Sequence, residues 1–174
     1  MTEVPIFRTL IVGCGAIAGG HNTPPLLNTH GGGIRAVPGL ALVGCVDVDP
    51  IAARSFAQKF HTTDFTSISS AIELSRPDVV IVASSTESHR TVVDEVLGAP
   101  NSPKVIVLEK PAASNSEDYE KLLNTVSKSD ALCLVNMTRG SDAGLGDSFS
   151  HAARATGVAI MASNSTGVKR PNAA

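Results

Sequence analysis

Apolar residues along this chain gather into short runs set apart by polar stretches with helical spacing. Ile6–Val12, Leu40–Val46, Thr62–Phe65, Asp78–Ala83, Val105–Leu108 and Leu132–Val135 each have the length of one strand. Several of these runs do not alternate with polar residues, which is the pattern of parallel strands buried on both faces. Asp78-Val79-Val80-Ile81-Val82-Ala83 shows it most strongly. Between the runs lie Pro50–Phe60 and Ser67–Leu74, both predicted helical, the second closed by Arg76-Pro77. A further helix carries Val92, Val93, Val96 and Leu97 on one face. The next follows a Ser114/Glu117 capping box and places Tyr119, Leu122, Leu123 and Val126 at i, i+3, i+4 and i+7. Six strands alternating with helices predict an α/β chain, a doubly wound parallel sheet in a single domain over residues 1–140. The regularity breaks at His21–Pro25 and His30–Gly33. Pro24-Pro25 cannot occupy a helix interior, so an elaborated loop is expected there, then a short helical piece ending near Pro38-Gly39.

The first strand stops abruptly at Gly13-Cys14-Gly15 and runs into Ala16-Ile17-Ala18. This is the G-x-G-x-x-G/A pattern, with a strand before it and a helix expected directly after. Gly13 allows the tight turn, Gly15 lets backbone approach a pyrophosphate, and Ala18 lets the helix lie close on the strand. The start of that helix would offer unpaired N–H groups and partial positive charge to phosphate, with Ala16 and Ile17 in the same turn. The second strand ends at Asp47-Val48-Asp49-Pro50. Asp47 is placed to accept from the hydroxyls of an adenosine ribose, while Asp49 can cap the next helix with Pro50 at its first position. An Asp47 carboxylate would also face a 2′-phosphate, so NAD is expected over NADP. Open parallel sheets bind ligands beyond the carboxyl ends of their strands. Ser84, Ser85, Thr86 and His89 follow the fourth strand, Glu109 and Lys110 the fifth, and Asn136 the sixth. With the Gly turn and Asp47 these make the expected cofactor-binding set of a dinucleotide-binding Rossmann fold.

Composition narrows the choice. Hydrophobic residues are 43% and charged residues 17%, as in globular chains, and a 3% share of aromatics leaves the core to Val, Ile, Leu and Ala. A net charge of −2 with scattered Lys and Arg argues against a nucleic-acid partner. No apolar run approaches the roughly 18 residues of a membrane span, and Met1–Arg8 lacks the apolar core of a signal peptide. Cys14, Cys45 and Cys133 read as reduced, buried thiols of a cytoplasmic protein. His21 and His30 have no Cys or carboxylate at ligand spacing and read as loop histidines, so no metal is expected.

Glu109-Lys110-Pro111 after the fifth strand, Gly13–Ala18, Val46-Asp47 and the Asp78–Ala83 run ending in a loop with His89 resemble the Gfo/Idh/MocA oxidoreductases. The family comprises glucose-fructose oxidoreductase, inositol dehydrogenase and rhizopine-catabolism proteins. The resemblance implies that Lys110 is catalytic, lying beside the nicotinamide and touching the substrate hydroxyl or carbonyl. It also implies that His89 lines the nicotinamide side, that the Lys110–Pro111 peptide is cis, and that hydride passes to or from a sugar or cyclitol-like small molecule. The plain alternative for Lys110 is a surface lysine solvating a strand end, and for His89 packing at a helix start. The chain departs from many relatives at Ser84-Ser85, where they carry a proline. Ala143–Gly157 looks like the family's linking helix and Val158–Arg170 like the first strand of its substrate domain, so residues 141–174 are expected to be a truncated second unit. The remainder of that domain, with its second catalytic histidine, does not follow. A natural short form, a fragment and a shortened chain stay open, as does a non-catalytic dinucleotide-binding module. Residues 158–174 are expected to order weakly unless a partner supplies strands, and strand exchange in a homo-oligomer is one open outcome. A methyltransferase would share the Gly turn and the acid, but Glu109-Lys110-Pro111 and the step from Gly15 to Ala18 argue against it.

Overall fold

The computed structural model describes residues 5–20 and 29–137. Six strands, β1 (Phe7–Val12), β2 (Leu40–Val46), β3 (Asp64–Phe65), β4 (Val79–Val82), β5 (Val105–Glu109) and β6 (Leu132–Asn136), form one sheet. Every pairing is parallel and the order is β3-β2-β1-β4-β5-β6. The order reverses between β1 and β4, which lie side by side with Val12 opposite Val82. That switch point opens a crevice at the carboxyl ends of the strands. Among the described residues the helices are α1 (His30–Ala36), α2 (Pro50–Phe60), α3 (Ile68–Ser75), α4 (His89–Gly98) and α5 (Ser116–Ser127), with a 3-10 turn at Thr86–Ser88.

Strand periodicity divides the core between the two faces of the sheet. Leu10 and Val12 of β1, with Val80 and Val82 of β4, pack in one cluster against Ile72, Val93, Val96 and Leu122. Ile11 and Ile81, between them in sequence, belong to a second cluster with Ala53, Phe56 and Phe60 of α2 and Ile34 of α1. A strand covered on both faces favours apolar residues at successive positions, and the unbroken apolar runs follow from that.

Three local expectations are corrected. No regular helix follows Gly15: residues 16–19 make a single turn, with Gly19 N–H shared between the Gly15 and Ala16 carbonyls at 3.2 and 3.1 Å. Gly19 has φ +110, outside the helical region, so the turn cannot propagate. His30 is not a loop residue. It is the first residue of α1, behind a Thr29 cap whose side chain accepts from Gly32 N–H at 3.3 Å. The cap of α5 is Asn115, whose Oδ1 accepts from Asp118 N–H at 2.9 Å, one residue along from the expected Ser114–Glu117 pair. The Lys110–Pro111 peptide is cis. His21, the Ala143–Gly157 and Val158–Arg170 segments, and the ordering expected of 158–174 lie outside the described residues.

Candidate functional site

The ends of β1, β2 and β4 meet around the glycine turn. Gly13 donates its N–H to the Val46 carbonyl at 2.8 Å, which pins the end of β1 to the end of β2. It sits at φ +96, and a Cβ there would come within 2.4 Å of Ser84 N and 2.6 Å of the Ala83 carbonyl carbon. Gly13 is therefore required by the passage of the chain leaving β4. Gly15 differs: its φ is not positive, and a Cβ would meet nothing within 4 Å. It faces a cleft of about 690 Å³. Gly13, Gly15, Ala16, Ile17, Asp47, Ser84 and Ser85 all line that cleft. The N–H groups of Gly15, Ala16 and Ile17 donate to no other described residue. Ala18 lies beneath the turn instead, fully buried, and its carbonyl accepts from Gly31 N–H at 2.9 Å.

Asp47 uses both carboxylate oxygens on backbone. Oδ2 accepts from Cys14 N–H at 2.6 Å and Oδ1 from Asp49 N–H at 2.8 Å, so the acid after β2 holds the glycine turn in place. Each oxygen keeps a second lone pair for another donor. Asp49 caps α2 through Ile51 N–H at 2.9 Å, with Pro50 in its first turn. Sequence reading missed part of the lining: Val48, Thr66, Ser67, Ser88 and Glu95 also face the cleft. Thr66 and Ser67 follow β3, and the strand-end rule applied to that short strand would have found them. Ser88 Oγ lies 2.8 Å from both Ser84 Oγ and the Ser85 carbonyl, which closes the loop after β4.

The other predicted residues stand apart from the lining of this cleft. Thr86 lies in the 3-10 turn. His89 opens α4 and is 1% exposed, with Nδ1 3.1 Å from the Pro111 carbonyl oxygen and Nε2 3.2 Å from that of Ser84. Both neighbours are carbonyl oxygens, which only accept, so the ring is the donor in these contacts. The side chain clamps the loop after β4 to the loop after β5, where the resemblance implied a ring facing the nicotinamide. Glu109 and Asn136 face each other across β5 and β6, with Asn136 Nδ2 donating to Glu109 Oε1 at 2.5 Å. The same oxygen lies 2.7 Å from His30 Nε2, and Oε2 accepts from Lys110 N–H at 3.3 Å. Burial pushes the Glu109 carboxyl up. The hydrogen bonds from His30 and Asn136, the His30 charge and the Lys110 N–H outweigh it and hold the group below its ordinary 4.5. Lys110 is exposed, and its ammonium makes no hydrogen bond or ion pair with another described residue.

The three cysteines are free and buried. Among the described residues no group of three or more His, Cys, Asp or Glu is arranged to hold a metal ion. No described helix is long and apolar enough to cross a membrane.

A family model described as "Oxidoreductase family, NAD-binding Rossmann fold" (GFO_IDH_MocA) matches residues 7–137. The chain belongs to this family. The comparison with curated proteins finds no match. Among solved structures, the WlbA dehydrogenase of Chromobacterium violaceum is 22% identical, with a TM-score of 0.68 over 89% of this chain and 41% of its own. That of Bordetella pertussis is 21% identical, with a TM-score of 0.69 over 86% of this chain and 42% of its own. Both were crystallised with NADH and UDP-GlcNAcA. A putative myo-inositol dehydrogenase of Sinorhizobium meliloti is 21% identical, with a TM-score of 0.66 over 85% of this chain and 42% of its own. At these identities the structures show a shared fold, and the chain spans about two fifths of their length. The family is that of an NAD-binding oxidoreductase domain, and the order β3-β2-β1-β4-β5-β6 agrees with its Rossmann fold.

Proposed function

We propose that the cleft takes NAD(H), with the pyrophosphate on the Gly15–Ile17 backbone and the adenosine ribose at Asp47. The observation that carries this reading is the contrast between the two glycines. Gly13 is forced by the fold, whereas Gly15 guards open space in front of N–H groups with no other described partner. A pyrophosphate brings charged acceptor oxygens, which such a cradle suits. The Asp47 carboxylate repels a 2′-phosphate, so NAD is preferred to NADP. When bound, the nicotinamide supplies the hydride donor or acceptor.

In the complete enzyme the substrate is a sugar or cyclitol-like molecule, and hydride moves to or from its hydroxyl-bearing carbon. Lys110 supports the role of touching the reacting oxygen: it extends from the end of β5 with its ammonium uncommitted among the described residues. An ammonium there donates a hydrogen bond to a substrate carbonyl and stabilises the charge it gains. Ser84, Ser85, Thr86 and His89 shape the loop on the nicotinamide side, and Glu109 and Asn136 support Lys110 from behind. Free buried cysteines fit a reducing cytoplasmic setting. The nucleotide sugar held by the WlbA structures supports a sugar substrate.

The test is turnover. The full chain is incubated with NAD and a panel of inositols, aldoses and nucleotide sugars, and nicotinamide absorbance is followed. Reduction of NAD by one class, abolished by Lys110→Ala with dinucleotide affinity retained, is the expected result. If Lys110→Ala turns over at the wild-type rate, Lys110 does not touch the reacting oxygen. Competition between S-adenosylmethionine and NAD decides the cofactor class.

A further inference from the structure

The glycine turn and the lysine loop are joined through one residue of α1. The His30 backbone N–H donates to the Ile17 carbonyl at 3.1 Å, so the helix starts directly on the turn. Its ring Nε2 reaches Glu109 Oε1 at 2.7 Å, and the other oxygen of that carboxylate accepts Lys110 N–H at 3.3 Å. The connection is largely dry, the two side chains being 14% and 9% exposed. Short hydrogen bonds to a charged group are stiff, and a low local dielectric strengthens them. Gly31 N–H also holds the Ala18 carbonyl at 2.9 Å, and a Cβ on Gly31 would lie 2.7 Å from the Phe60 ring, so the first turn of α1 is coupled to the glycine turn by two backbone hydrogen bonds and packs closely on Phe60. Asn136 grips Glu109 from β6 at 2.5 Å.

We propose that His30 is a positioning residue that transmits occupation of the glycine turn to Lys110. A phosphate drawn onto the Gly15–Ile17 backbone shifts the Ile17 peptide. The His30 N–H follows its carbonyl, and the ring carries the displacement through Glu109 to the Lys110 backbone. The lysine is thereby set for substrate only when the dinucleotide is seated. This rests on the dinucleotide reading of the cleft.

The probe is ADP, which supplies adenosine and pyrophosphate but no nicotinamide, so any response at Lys110 travels through the protein. In proton–nitrogen correlation spectra of the wild-type chain, ADP should shift the Ile17 and Lys110 amides along one saturation curve. In His30→Ala, Ile17 should still respond, with affinity within about threefold of wild type, while the Lys110 response falls to background. His30→Gln retains an amide donor close to the Nε2 position and should restore it. An undiminished Lys110 response in His30→Ala overturns the proposal, as does failure of His30→Gln to restore a lost one. If His30→Ala does not fold, the wild-type His30 ring nitrogens decide. Their movement along the same curve supports the link, and stillness while Lys110 moves overturns it. If Ile17 itself is silent to ADP, the dinucleotide reading fails and this inference falls with it.

Discussion

Alanine at Gly13 and alanine at Gly15 should act on different properties of the chain. At Gly13 the left-handed φ of +96 costs a residue with a Cβ about 1–2 kcal/mol. The new atom also lands 2.4 Å from Ser84 N and 2.6 Å from the Ala83 carbonyl carbon, both backbone, and such overpacking adds about 1–3 kcal/mol. The sum is about 2–5 kcal/mol, a large part of the roughly 5–15 kcal/mol that holds a typical domain. At about 3 °C per kcal/mol, Gly13→Ala should lower Tm by roughly 6–15 °C. At Gly15 no atom lies within 4 Å of the Cβ and φ is not positive, so the stability change should stay within about 0.5 kcal/mol. Its methyl instead occupies the approach to the N–H groups that have no other described partner. Losing two hydrogen bonds to a charged pyrophosphate, at about 1.5–3 kcal/mol each, is at least about a 100-fold loss of affinity. Scanning calorimetry reads the stabilities, and titration calorimetry with NADH reads the affinity. Gly15→Val should abolish binding with an unchanged far-ultraviolet circular dichroism spectrum. The reasoning is refuted if Gly15→Ala binds NADH as wild type does, or if it destabilises the chain as much as Gly13→Ala.

Asp47→Ala should weaken NAD and narrow its advantage over NADP in calorimetric titrations. It should also cost about 1–3 kcal/mol in urea unfolding, because the Cys14 N–H loses its 2.6 Å acceptor. Glu109 carries a pH dependence of definite sign. Its folded carboxyl lies below the ordinary 4.5, so its stabilising contribution is present above about pH 4.5 and is lost as pH falls through the lower folded value. Glu109→Gln should therefore flatten the acid limb of urea-derived stability against pH, and an unchanged slope contradicts the assigned network. The cysteines should resist thiol reagents in the native chain at neutral pH and react on unfolding. Burial pushes Cys133 up to about 11, and contact with Cys45 together with burial raises Cys14.

Much of this fold is legible in the sequence because it is written in local pattern. β2 and α2 begin and end where the apolar run and the Asp49-Pro50 start signal put them, since both signals lie next to the boundary they set. The strand-end rule points to Gly15, Asp47 and Ser84, and all three line the crevice because the topology brings those strand ends together. Side-chain direction is not local. Glu109 and Asn136 do end neighbouring strands, yet they turn toward each other, which depends on the β5–β6 register. His30 finds its carboxylate 79 residues away, so no spacing rule could disclose the pair. The missing helix after Gly15 has a different cause. Gly-x-Gly-x-x-Ala normally signals a helix start, but Gly19 at φ +110 ends the turn after one cycle, and the next described helix is α1 from His30. At α5, Ser114 and Asn115 are adjacent cap candidates, and the Asn115–Asp118 bond decides between them.

Titration calorimetry of the full chain with NAD and NADH tests the central claim most directly. The account predicts one saturable site per chain, tighter for NAD than for NADP, with ADP competing for the same site. Absence of saturable binding by either nicotinamide dinucleotide, from a chain whose cooperative unfolding shows it to be folded, would contradict it.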